Sequence, residues 1–254
     1  MSCEHFSNGR SFFHRCDPRV KLLCLLVGSW IIAALETLEF QVACLLLSSA
    51  FMFAAKLPLK ETGLRILIVN TFCLFIWLTV PLTTSGIPLF HIIGPYFVTE
   101  EGVITALSIT LKSNAILFLS LSLLSTSKIT DLTHALSHLK CPSPLVQLFY
   151  FTWRYIHVIS EEAKKINEAM KLRGFSLSTN LSTYKYIGNY ISAIFLKSYD
   201  TGIQVQRAME LRGFDGTFWL IHHFNLKRSD IVFFTTTISA IMLIFIGDHF
   251  ILSK

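Results

Sequence analysis

The chain has 254 residues, 52% hydrophobic and 15% charged, with a formal net charge of +6 and a mean hydropathy of +0.56. Its apolar residues gather into blocks almost free of charge rather than recurring at amphipathic spacing, which excludes an ordinary water-soluble domain and makes lipid the expected solvent. No basic patch is interleaved with aromatics, so the positive balance reads as a topology signal and a contact to anionic headgroups, not as a nucleic-acid surface.

Residues 1–19 are polar and basic, but no small-residue cleavage pattern follows them and several apolar blocks do, so a retained first span is expected. The first span is read as Leu22 to Leu35 and the second as Phe40 to Ala55, joined by a turn around Glu36 and Glu39. Both are short: sixteen residues cover roughly 24 Å of a hydrocarbon core of about 30 Å, which snorkelling by Lys21 and Lys56 or local bilayer thinning would make up, an interfacial or re-entrant hairpin being the alternative. A third span, Leu64 to Leu82, a fourth, Val103 to Leu124, and a last, Ile231 to Ile246, bring the count to five. The expected class is thus an all-α integral membrane protein. Residues 1–125 are read as an N-terminal membrane domain, 126–228 as a cytoplasmic domain of long amphipathic helices, and 229–254 as the final span.

Lys and Arg fall on one side of these spans. The amino-terminal tail carries Arg10, Arg15, Arg19 and Lys21, the second connection Lys56, Lys60 and Arg65, and the segment from Lys128 to Arg228 carries thirteen. The connections at 35–40 and 83–102 carry none, which makes the amino terminus and the long segment cytoplasmic. Lys112 stands in the middle of span four with Asn114 two residues on. A cation there requires protein or water to face, either a substrate path or a polar group on a neighbouring helix.

Within the long segment, Leu145, Leu148, Thr152, Ile156, Ile159, Ala163, Ile166 and Met170 step by three or four along one helix, which Gly174 should end. A second helix, from Tyr184 to about Arg212, repeats the arrangement and should end at Gly213. The two ends are nearly the same text: E-A-M-K-L-R-G-F at Glu168 to Phe175 and R-A-M-E-L-R-G-F at Arg207 to Phe214, 39 positions later. A cation in the last turn and a glycine beyond it are ordinary capping. Capping does not require Ala169 and Ala208, the following Met, or the trailing Phe175 and Phe214, so the repeat implies a partner with two equal grooves, as a two-fold dimer offers.

Asp131, His134, His138 and Cys141 are spaced 3, 4 and 3 and could share a helix face as transition-metal ligands, although the polar face of a short connecting helix accounts for the same residues and no metal is assigned. The six cysteines show no C-x-x-C spacing, hence no zinc or disulfide framework. Nucleotide-binding, zinc-protease and serine-hydrolase signatures are absent from the sequence, so it carries no recognisable enzyme motif.

The D-P-R-V-K of Asp17 to Lys21, the K-I-T-D-L-T-H-A-L after span four and the paired R-G-F ends together resemble the transmembrane coupling (T) component of energy-coupling factor transporters, in its CbiQ branch. The resemblance implies a non-catalytic subunit of an importer in the cell (inner) membrane. Its partners would be two cytoplasmic ATP-binding-cassette ATPases, which hold ATP and Mg, and a small substrate-capture (S) membrane protein for cobalt or nickel ion, or for a vitamin. It also implies no cofactor on this chain, and ATPase docking at Arg173, Gly174, Arg212 and Gly213, with Leu172 and Leu211 standing where the family has Ala. A stand-alone secondary permease is the remaining alternative; it would need an internal polar path.

Overall fold

The computed structural model of the protein describes residues 13, 16–84, 88–93, 96–139, 141–175, 178–216 and 228–252. They form helices α1 (Pro18–Ala34), α2 (Leu38–Ala55) and α3 (Leu59–Thr83), a β-hairpin of β1 (Pro88–Ile93) and β2 (Tyr96–Thr99), and then α4 (Glu100–Leu124), α5 (Ile129–His138), α6 (Ser143–Leu172), α7 (Leu181–Glu210) and α8 (Arg228–Leu252). The helical class is as expected. The antiparallel hairpin, pairing Pro88 with Thr99 and Ile93 with Tyr96, occupies the connection between the third and fourth expected spans.

Local chemistry sets the ends. Asp17 is extended at the N-cap of α1, its carboxylate accepts from the Arg19 amide at 3.0 Å, and Pro18 fills the first helical position where its missing N–H costs nothing. Pro81 lies inside α3, and the start of α4 approaches it so closely that a Cβ at Gly102 would stand 2.7 Å from the Pro81 Cα. Only glycine fits there.

Among the described residues four helical segments are long and apolar enough to cross a membrane: Leu38–Ala55, Thr62–Thr83, Glu100–Leu124 and Arg228–Ile251. The first expected span becomes α1, which at 17 residues and about 25 Å falls short of them. The last span extends beyond Ile246 to Leu252 and takes in Asp248.

The chain divides into two compact units, Met1–Ala135 with Phe224–Lys254, and Leu136–His223. In the first unit α4 is the hub, packing on α1, α2 and α3, while α8 covers α1 and α2. Cys24, Ile32, Leu35, Cys44, Ala115, Leu119 and Leu123 are fully buried between these helices. Small and thiol side chains there let the backbones approach, which is how helices associate when lipid is as apolar as their own side chains. The second unit contains α6 and α7, each of 30 residues, joined by Tyr190 Oη donating to the Ala163 carbonyl at 3.2 Å. Among the described residues no side chain of α6 is buried, and α7 buries only Thr183.

Candidate functional site

The repeated octapeptides fold identically. At the first, the Gly174 amide donates to the Lys171 carbonyl at 3.0 Å and the Phe175 amide to Met170 at 3.2 Å. At the second, Gly213 donates to Glu210 at 2.9 Å and Phe214 to Met209 at 3.1 Å. This double bond from the residues after the helix back into its last turn is a Schellman cap, and it places both glycines in the left-handed region, at φ +83° and +81°. A side chain at either position would be strained by about 1 kcal/mol or more.

Exposure also matches position by position. Ala169, Lys171, Leu172, Arg173 and Gly174 are exposed, with Met170 and Phe175 half-buried; Ala208, Glu210, Leu211, Arg212 and Gly213 are exposed, with Met209 and Phe214 half-buried. Each tip is therefore a Met and a Phe folded back on the helix, and a Leu and an Arg directed away from it. Among the described residues neither guanidinium has an acceptor, the one ion pair being Lys165 with Glu162 at 3.1 Å. The bases of the tips differ. Phe175 packs against Tyr186 with ring centroids 5.2 Å apart, whereas Phe214 lines a cleft of about 620 Å³ between α6 and α7 with Phe151, Tyr155, Val205 and Met209. Gln147 holds the second tip loop by donating to the Gly216 carbonyl at 2.7 Å.

The intramembrane polar residues lie elsewhere. Lys112 Nζ donates to the Ala33 carbonyl at 3.0 Å, a cation set at the C-terminal end of α1 where unpaired carbonyls collect. Next to it, Asp248 of α8, 2% exposed, accepts from the amides of Glu36 and Thr37 at 3.0 Å each and from the Thr37 hydroxyl, and so caps α2 from another helix. Asn114 and Asn70 exchange amide bonds at 3.1 and 3.2 Å, and with Trp77 to Thr110 and Cys73 to Ser113 they fasten α3 to α4. These groups serve helix packing. A lone carboxylate near the end of an apolar block was a signal for Asp248, obscured by reading the last span as ending at Ile246.

A third polar group replaces the snorkelling expected of Lys21, whose ammonium is turned into the protein instead. Lys21, 1% exposed, donates to Thr126 Oγ1 at 3.2 Å and Ser127 Oγ at 2.9 Å, tying α1 to the segment after α4, and it attracts Asp17, Asp131 and Asp230. Cys16 beside it is held protonated, its thiol pushed up to about 11 by burial and then by Asp230. Asp131 thus faces a cation. Along the same helix His134 is buried and His138 exposed, and among the described residues no three His, Cys, Asp or Glu side chains come together to hold a metal ion.

Several membrane-crossing helices packed through buried polar and small residues, together with two long exposed amphipathic helices that end in twin basic tips, define an integral multi-pass membrane protein. Residues 9–222 match the CbiQ family, described as "Cobalt transport protein". The chain belongs to that family and is a transmembrane component of an energy-coupling factor transporter. It is 28% identical over 223 residues, 82% of each chain, to the energy-coupling factor transporter transmembrane protein EcfT of Leuconostoc gelidum subsp. gasicomitatum. It is 27% identical over 218 residues, again 82% of each, to EcfT of Bacillus subtilis. The nickel permease LarQ of Lactiplantibacillus plantarum matches at 27% identity over 135 residues, 53% of this chain and 48% of that one.

Proposed function

We propose that the chain is the coupling subunit of an ATP-driven importer, with its amino terminus and the α6–α7 unit on the cytoplasmic side of the cell membrane. Arg173 and Arg212 each enter a groove on one of two cytoplasmic ATPases, which bind ATP and Mg²⁺. Closing of the ATPase dimer changes the separation of the grooves, and α6 and α7 carry that movement to the spans and to a small capture subunit. Hydrolysis and substrate choice belong to the partners. The observation that carries this reading is the pair of caps with the same hydrogen bonds and the same left-handed glycine, each presenting an Arg that has no acceptor among the described residues.

The substrate is proposed to be cobalt or nickel ion, supported by the family description and by the nickel permease among the relatives. The relatives that match over most of their length carry no metal in their names, which keeps a vitamin importer as the second reading. The packing contacts of Lys112, Asn114 and Asp248 favour this reading over a stand-alone permease. The test is uptake of radiolabelled nickel and cobalt in cells lacking their own importers. Accumulation is expected only when the chain is co-expressed with the ATPase and capture subunits of its genome, and only with ATP. Uptake by this chain alone, driven by an ion gradient, would refute the coupling role; ATP-dependent uptake of a vitamin but neither metal would refute the substrate.

A further inference from the structure

Among the described residues, the two most exposed large apolar side chains are Leu172, at 90%, and Leu211, at 89%. They occupy the same position of the repeated motif, immediately before the Arg. Leu181 is as exposed, at 88%, but it has no counterpart in a second motif. A nearly bare leucine is unfavourable in water, and a position at a helix C-terminus accepts Lys, Gln or Glu equally well, so helix formation does not call for leucine twice. The Schellman caps give both ends the same backbone, with the Leu and Arg exposed and the Met and Phe half-buried. What each tip exposes most fully is therefore one apolar side chain beside one cation.

We infer that Leu172 and Leu211 are the apolar anchors of the two tips, each filling a hydrophobic pocket beside the acidic site that takes the neighbouring Arg in an ATPase groove. The inference rests on the docking role proposed above and adds the chemistry of the partner: a groove with a leucine-sized apolar depression next to a carboxylate or carbonyl cluster. Two equal anchors point to the ATPase pair, because neither a bilayer surface nor a single capture subunit presents two equal pockets. It follows that an ATPase whose groove is shaped for a smaller residue before the Arg would accept this chain poorly.

The experiment measures the affinity of the purified ATPase pair encoded in the same genome for the full chain in nanodiscs. The variants are Leu172→Gln with Leu211→Gln, Leu172→Met with Leu211→Met, and Arg173→Ala with Arg212→Ala. Glutamine keeps helix propensity and length while removing the apolar surface. Losing one buried leucine side chain weakens binding by about 10- to 100-fold, so the double Gln variant is expected to lose at least about 100-fold. The Met variant should stay near wild type. Residual binding by the Gln variant should fall steeply with salt, since only the charged contact remains. If the Arg variant loses binding while the Gln variant keeps it, the anchors are refuted and the docking stands. If the Arg variant also keeps it, the docking itself fails. Loss of lipid protection at the tips in the Gln variant, with ATPase affinity unchanged, would give the leucines to the bilayer and overturn the inference.

Discussion

Replacing both tip arginines, Arg173→Ala with Arg212→Ala, is expected to leave the protein abundant in the membrane while abolishing ATPase co-purification and uptake. Both side chains are exposed and make no hydrogen bond or ion pair among the described residues, so the fold loses little at these positions. A charge-assisted hydrogen bond contributes about 1.5–3 kcal/mol; two amount to about 3–6 kcal/mol, or roughly 100- to 10,000-fold in affinity. Either single substitution should leave one tip engaged and reduce binding by roughly the square root of the double effect. Quantitative co-purification with a tagged ATPase measures this, and full retention by the double variant would contradict docking through the tips.

The opposite outcome is expected at Lys21. Lys21→Met removes a buried cation that holds the Thr126 and Ser127 hydroxyls and faces Asp17, Asp131 and Asp230, two of which, Asp17 and Asp230, are themselves buried at 5% and 3% exposure. Removing one member of a buried charged cluster typically costs about 3–5 kcal/mol, because carboxylates are left with less positive charge than they need. Membrane abundance should fall several-fold and the melting midpoint in detergent should drop, with no selective loss of ATPase binding in the fraction that survives. Wild-type abundance and melting would show that Lys21 is not structural. The two experiments together separate the part of the chain that holds it together from the part that acts on others.

How much of this could be read in the sequence follows from the range of the interactions. The tips are local: an Arg in the last turn, a glycine next and a repeated Met and Phe are contiguous, and the caps they form are the ones their order dictates. The Asp17-Pro18 start of α1 is equally local. The partners of Lys112 and Lys21 are not, since one is the Ala33 carbonyl, 79 positions away, and the other a pair of hydroxyls more than a hundred positions along the chain. A backbone carbonyl at a helix end is invisible as a residue type. The hairpin had a readable signal in two apolar runs, Pro88 to Ile93 and Tyr96 to Val98, separated by Gly94 and Pro95. The absence of cations in the connection bears on its side of the membrane and is silent on this pairing. The exposure of Leu172 and Leu211 depends on how the caps direct each side chain, which spacing alone does not give.

Moving tips are the centre of the account, and the distance between them is its most direct test. Spin labels at Lys171 and Glu210, the matching positions of the two last turns, would report it by double electron–electron resonance in the full chain reconstituted with the ATPase pair. The distance distribution is expected to narrow when the ATPases bind and to shift by several ångströms between the nucleotide-free and ATP-bound states. One unchanged distribution in the free chain, the complex and the ATP-bound complex would contradict it.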